Sequence, residues 1–482
     1  MNRKFVFYLF GRIGQTVGFL LMLPAVVSLI YGEGIAFWSF FGTALAAVGL
    51  GTLISVLCKT SNNVIYAKEG FAIVALAWLG MSAVGAIPFV ISGAIPSYVD
   101  AFFETVSGFT TTGASILTNV EALSHGMLFW RSFTHWIGGM GVLVFVMAIA
   151  SNITDRSIHI MRAEMPGHVV GKLVPRAKDT AKILYLMYIV MTVVEMILLI
   201  CGGMPVFESV LHSFGTAGTG GFGIRSDSLG SYSSYCQIVI SVFMLLFGVN
   251  FNLYYLLLLG KLKSVFKSTE LWAYLSIVAL SVTVIAGNIY TIYGNVADSL
   301  RLSFFQVSSI VTTTGFSTAN FDLWPGLSKG ILLILMFIGA CSGSTAGGFK
   351  VSRVVILVKL IGKEIKRLLH PRSVSSVKFE GKSVDDQTLG SVATYTAIYL
   401  LCFVGVFLLI SFEDFGLETN FSAVVATFNN IGPGFGKVGA AGSFAEYTDF
   451  SKIVFSGAML LGRLEIFPLI IALSPSTWKK TR

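Results

Sequence analysis

The chain has 482 residues, 55% of them hydrophobic and only 12% charged, with a mean hydropathy of +0.80. A soluble domain carries about 25% charged residues. A water-soluble fold is therefore excluded, and the formal charge of +9 calls for a membrane explanation before a nucleic-acid one. The five cysteines (Cys58, Cys201, Cys236, Cys341, Cys402) and six histidines form no C-x-x-C, H-x-x-x-H or H-E-x-x-H pattern. No phosphate-binding G-x-x-x-x-G-K-[ST] occurs either. Zinc, organic-cofactor and enzymatic readings thus have no motif to rest on; a Cys201–Cys236 pair on one side of the membrane stays open.

At the N-terminus, Arg3 and Lys4 precede an apolar stretch through Ile30. A signal peptide starts the same way, but no small-residue cleavage pattern follows and a second apolar run begins at Ile35, so a retained first helix is expected. A membrane-spanning helix needs about 20 apolar residues, whereas a helix of about ten rises only some 15 Å. Two size classes are visible along the chain. The long segments are 13–31, 35–57, 71–92, 125–151, 183–202, 235–260, 272–293, 328–358, 391–411 and 452–474. The short ones are 98–109, 206–214, 298–311 and 420–428. After residue 70 the order is long–short–long, four times, with an extra long pair in front.

Each short segment ends at a glycine motif: Thr110-Thr111-Thr112-Gly113, Gly215-Thr216-Ala217-Gly218, Thr312-Thr313-Thr314-Gly315 and Asn429-Asn430-Ile431-Gly432. Successive glycines lie 105, 97 and 117 residues apart, the length of two crossings plus a re-entrant loop. The register of the second and fourth copies is open by up to three residues, because Gly220, Gly221, Gly434 and Gly436 follow closely. Pro96-Ser97, Pro205, Asn295 with Asp298, and Thr419-Asn420 supply an early proline or a capping side chain at the four short-helix starts.

With the N-terminus inside, the segments 1–12, 59–70, 151–182, 260–271, 350–390 and 475–482 hold 26 of the 33 Lys and Arg. The other side holds six and Arg463 lies within a span. Both termini are then expected in the cytoplasm, and the short helices enter from outside. The run from Lys350 to Lys382 is the most basic and either anchors to lipid or meets an acidic partner.

Irregular backbone at membrane depth survives only where protein buries it or water lines it. Carbonyl oxygens can replace the water shell of a cation and still release it, and glycine turns them inward without a Cβ clash. The expected fold is therefore all-α integral membrane: four pseudo-repeated helix–pore-loop–helix units around one pore, plus two N-terminal transmembrane helices. The expected cation-site residues are Thr111, Thr112 and Gly113; Thr216, Ala217 and Gly218; Thr313, Thr314 and Gly315; and Asn430, Ile431 and Gly432. Carboxylates nearby (Asp100, Glu104, Glu208, Asp298, Glu418) read as helix caps or as groups that raise the local cation concentration. Boundaries follow as 1–70, 71–151, 152–260, 261–358 and 359–482.

On these motifs the chain resembles the TrkH family of the Trk/Ktr/HKT potassium-uptake superfamily, over its whole length. The resemblance implies passive, channel-like K+ uptake across a bacterial inner membrane, with glycines at positions 113, 218, 315 and 432 as the mark of potassium preference. It also implies a homodimer with one pore per subunit, bound to a cytosolic nucleotide-sensing TrkA-type ring through the inner basic loops 151–182, 260–271 and 350–390. No nucleic-acid partner is implied.

Two further features lie within spans. Gly339, Gly343 and Gly347 recur every four residues, the spacing of a helix-packing seam. Yet Ser342, Ser344, Thr345 and the Gly347-Gly348 pair make continuous helix poor, which favours a break. The resemblance implies that 339–348 is an intramembrane loop obstructing the pore. Arg463 either projects beside that loop or only fastens two helices, with Glu465 a doubtful partner. Glu195, also within a span, is the titratable residue that a secondary transporter coupling K+ to H+ or Na+ would use, which is the alternative reading.

Overall fold

Long uninterrupted apolar runs dictate the frame of the molecule, which a computed structural model describes over residues 3–60, 67–141, 177–372 and 376–478. Among these residues six helices are long and apolar enough to cross a membrane: Arg3–Ile30, Gly34–Leu57, Glu69–Ile91, Ala181–Cys201, Thr269–Tyr293 and Asp386–Ile410. The protein is thus a multi-pass membrane protein. The leading pair packs closely because small residues face each other. A Cβ on Gly11 would lie 2.7 Å from the Gly51 carbonyl and one on Gly18 2.8 Å from that of Ala44, the close approach that small residues permit in lipid.

The short helices are Tyr98–Phe109, Val206–Gly218, Val296–Val311 and Leu417–Phe428. Local chemistry starts them as expected at three of four sites. Ser97 accepts from the Asp100 N–H, Asn295 accepts from the Ala297 N–H at 3.0 Å, and Pro205 occupies the cap. The fourth differs: its cap is Gly416 at φ 85°, so Thr419-Asn420 lies inside the helix. There Asn420 instead donates to the Glu413 carbonyl and accepts from the Tyr447 hydroxyl, bracing the preceding turn.

Three long segments are broken. Ser234–Phe247 and Phe251–Leu258 meet at 90°, so 235–260 is not one straight span. Helix Gly326–Phe337 gives way to irregular chain until Val351–Leu369, which removes the packing-seam reading of the glycines. Asp449–Arg463 and Phe467–Leu473 meet at 120°, so Arg463 ends a helix rather than sitting mid-span. The segment 125–151 is helical as His125–Gly139, and its remainder beyond residue 141 lies outside the described residues. One small sheet departs from the all-α expectation: Lys378–Phe379 pairs antiparallel with Lys382–Ser383 across Glu380 and Gly381, both at positive φ as a type I′ turn requires. Cys201 and Cys236 are unbridged.

Candidate cation site

All four short helices end in the same backbone gesture. One residue enters the left-handed region: Thr111 (φ 56°), Thr219 (φ 55°), Thr313 (φ 56°) and Asn430 (φ 57°). The next N–H then bonds five residues back: Thr112 to Ser107, Gly220 to Gly215, Thr314 to Ser309 and Ile431 to Ala426, at 2.8–2.9 Å. Two residues past the left-handed position stand Gly113, Gly221, Gly315 and Gly432.

The second loop is therefore Thr219-Gly220-Gly221, three residues beyond the expected Thr216-Ala217-Gly218. Those three are still helical: Thr216 returns its hydroxyl to the His212 carbonyl at 2.9 Å, and the helix continues to Gly218. Helix length was the available signal. The first short helix has 12 residues, and a helix of that length begun after Pro205 passes through Gly215.

The four glycines abut in a closed cycle that follows chain order. A Cβ on Gly113 would lie 2.7 Å from the Gly221 nitrogen, one on Gly221 2.5 Å from the Thr314 carbonyl oxygen, and one on Gly432 2.7 Å from the Thr112 carbonyl oxygen. A Cβ on Gly315 would strike the Ile431 carbonyl oxygen. Gly113, Gly315 and Gly432 also hold φ of 78°, 84° and 98°. One cavity of about 190 Å³ touches all four. Main-chain oxygen, crowded beyond what any side chain tolerates, meets the negative ends of four helices.

Side chains fix each loop differently. Thr110 and Thr112 share a hydroxyl bond of 2.8 Å, and Thr312 and Thr314 one of 2.7 Å. In the fourth loop the Tyr399 hydroxyl holds Asn429 at 2.7 Å, and the Asn430 amide donates to Thr112 Oγ1 at 2.9 Å. Among the described residues, Thr111 Oγ1 and Asn430 Oδ1 are buried without a hydrogen-bond partner.

The nearby carboxylates are all committed. Asp100 pairs with Lys452 (2.6 Å), Glu104 with Arg131 (2.8 Å), Glu208 with Arg225 (3.2 Å), Asp298 with Arg301 (2.8 Å) and Glu418 with Lys329 (2.7 Å). Each thus stands in an ion pair, Glu418 sharing Lys329 with Asp322. Arg131 is buried.

Residues 338–350 form a pad against the third loop. The Gly347 N–H donates to Thr313 Oγ1 at 2.7 Å, and a Cβ on Gly347 would lie 2.8 Å from the Asn429 carbonyl oxygen. Gly343 and Gly348 take φ of 71° and 68°. The pad is seated on the break after Phe247: Cys341 N–H donates to the Gly248 carbonyl (3.1 Å) and Phe251 N–H to that of Gly343 (3.0 Å). Glu270 accepts from the N–H of Ser342 (2.6 Å) and Ser352 (3.2 Å), and Ser344 closes back on the Cys341 carbonyl. Gly339 donates to the Phe349 carbonyl at 2.8 Å, drawing the ends of the pad together.

Cationic side chains hold the pad. Arg463 donates to the carbonyls of Thr345 (2.8 Å), Gly138 (2.6 Å) and Gly139 (2.8 Å). Lys350 donates to those of Ala346 and Gly347. Glu465 pairs with Arg353, not Arg463. Lys350 and Arg353, read from sequence as part of a basic surface run, are buried. A Lys two residues past a Gly-Gly pair that interrupts a span was the signal that marked it.

The TrkH family model, described as a cation transport protein, matches residues 38–285 and 255–480. The chain is 37% identical to the Trk system potassium uptake protein TrkH of Salmonella typhimurium, over 98% of this chain and all of that one. It is 36% identical to TrkH of Escherichia coli K12 with the same coverage, and 34% identical to TrkG of that organism over 95% of this chain and 94% of that one. The crystal structure of the potassium transporter TrkH from Vibrio parahaemolyticus superposes with a TM-score of 0.89 at 33% identity, covering 99% of this chain and all of that one.

Proposed function

Because this chain belongs to the TrkH family of cation transport proteins, we propose that it takes up potassium through a pseudo-fourfold pore across a bacterial inner membrane. Units 71–151, 152–260, 261–358 and 359–482 each contribute one loop, behind the two-helix extension 1–70. The observation that carries the reading is the cycle of Gly113, Gly221, Gly315 and Gly432 against one cavity. The filter oxygens are then those of residues 111–112, 219–220, 313–314 and 430–431, each set before its glycine. Carbonyls exchange for the hydration shell at little net cost. Flux is passive, and the membrane potential contributes about 2.3 kcal/mol per charge per 100 mV.

The pad, with Gly339, Gly343, Ser344, Thr345, Gly347, Gly348 and Arg463, is the gate in this reading: it underlies the ring and is held by hydrogen bonds that can be exchanged. Both termini are cytoplasmic, the unit is a homodimer, and a TrkA-type nucleotide-binding ring meets the inner basic segments. Of these, 260–271 presents exposed Lys261, Lys263 and Lys267, while 151–176 lies outside the described residues.

Reconstitution into liposomes with reversal potentials in opposed K+ and Na+ gradients tests the function. Preference for K+ that Gly315→Ser abolishes is expected; a potential blind to the K+ gradient sinks the reading. Glu195, buried in a membrane-crossing helix, favours a second reading, the carrier coupled to H+ or Na+. Native uptake that moves neither protons nor Na+ with K+, and that Glu195→Gln leaves unchanged, excludes it.

A further inference from the structure

Loops one and three are stiffened by their own threonine pairs, but the second has glycine at both equivalent positions, Gly218 and Gly220. Its stiffness comes from outside. Arg131 and His135, one turn apart on His125–Gly139 and so on one face, are both buried and both reach across from the first loop to the second. Arg131 pairs with Glu104 of the first short helix, donates to the Gly223 carbonyl at 3.2 Å and stacks over the Phe222 ring at 4.0 Å. His135 lies against the same ring, with centroids 4.3 Å apart.

The imidazole also bonds at both nitrogens. Nδ1 lies 2.7 Å from the Gly108 carbonyl oxygen, and the Phe222 N–H donates to Nε2 at 3.3 Å. A carbonyl accepts only, and an amide N–H donates only. Both bonds therefore require the neutral ring protonated at Nδ1. The imidazole spans from the last turn of the first short helix to the residue directly after ring glycine Gly221. It also explains the glycine content of the second loop: a Cβ on Gly220 would lie 2.5 Å from His135 Nδ1.

We infer that His135 is a specificity-determining positioning residue: its ring does for the second loop what the threonine pairs do for the first and third, setting how far the Gly221 corner stands from the axis. This rests on the proposed pore. A loop held on one side only relaxes toward the larger or smaller cage the ion demands, so discrimination between K+ and Na+ falls before conduction does.

The test uses the full chain in liposomes, with reversal potentials giving the Na+/K+ permeability ratio. His135→Ala is expected to raise that ratio about 5- to 10-fold, the worth of one buried hydrogen bond, with K+ flux retained. His135→Gln, whose amide oxygen stands near Nε2 and accepts from Phe222 N–H, is expected to stay within about twofold of the native ratio. His135→Asn reaches only the Nδ1 position and should behave like His135→Ala. Should His135→Ala fail to fold, Gly220→Ala pushes on the same ring and is expected to raise the ratio likewise. Native ratios in His135→Ala and His135→Asn, or in Gly220→Ala, while Gly113→Ser shifts the ratio, overturn the inference and leave the pore standing. If Gly113→Ser also changes nothing, the pore reading fails and the inference falls with it.

Discussion

Thr313 Oγ1 accepts the Gly347 N–H at 2.7 Å, so one hydroxyl joins the third loop directly to the pad beneath it. The same residue carries the left-handed turn that presents its carbonyl. Ring and pad thus share a direct hydrogen bond at this residue.

Thr313→Val keeps the shape and deletes that acceptor, leaving the buried Gly347 N–H without its partner. An intramolecular hydrogen bond contributes about 1 kcal/mol net. The closed pad should lose about that much, and basal K+ flux into liposomes should rise about fivefold. Thr313→Ser restores the acceptor and should restore flux to the native level. Equal flux in all three proteins removes this bond from gating.

Arg463 has a larger share, since its guanidinium meets three carbonyls on two separate elements. Bonds to a charged donor are worth about 1.5–3 kcal/mol each. Arg463→Gln keeps one short amide in place of that reach, and ten-fold or greater loss of closure is expected, read as raised basal flux. Lower protein yield with unchanged flux per molecule would mean that Arg463 only fastens helices.

Glu104 and Arg131 form the most enclosed ion pair near the ring, their side chains 0% and 2% exposed. Removing one partner of a buried pair strands the other charge, at about 3–5 kcal/mol. Glu104→Ala also strips the acceptor from Ser115 Oγ and the Ile116 N–H. Its melting temperature in detergent should drop well below that of Glu418→Ala, whose pair with Lys329 is open to solvent. Equal melting temperatures would show that the buried pair adds nothing.

What could be read from sequence was whatever local chemistry decides. Ser97 and Asn295 start their helices by contacts within three residues and Pro205 occupies the cap of a third, and hydropathy separates long from short segments because lipid sets the lengths. Features decided by distant contacts were not legible. The second loop lies three residues beyond its expected place, and helix length hinted at that, but the contact of Phe222 N–H with His135, 87 positions away, was not legible. The last span breaks at Glu465 and Ile466, which adopt φ of 54° and 68°; Pro468, in the first turn of the following helix, was the local signal for it. Such backbone costs about 1–3 kcal/mol per residue and persists here with Glu465 anchored on Arg353. Arg353 looked like surface charge, yet the carboxylate it serves, Glu465, lies 112 positions away, whereas Lys350 turns back onto the carbonyls of Ala346 and Gly347 just before it.

The remaining prediction concerns acid. Glu33, in the turn between the first two helices, accepts from the N–H of His125 (2.6 Å) and Gly126 (3.0 Å) and from the His125 ring. Partial burial raises its pKa, but the hydrogen bonds at the head of His125–Gly139 and the neighbouring imidazole outweigh that, so the carboxyl sits below its ordinary value of 4.5. A group with a depressed folded pKa stabilises above its unfolded value and loses that contribution as pH falls through the folded one. The cap should therefore be fully present near neutrality and fade below about pH 4.5. Glu33→Gln should melt lower than the native protein at pH 7 and converge on it as the pH drops toward 3. A constant gap between the two melting curves across that window would show that the carboxylate charge at this helix start contributes nothing to stability.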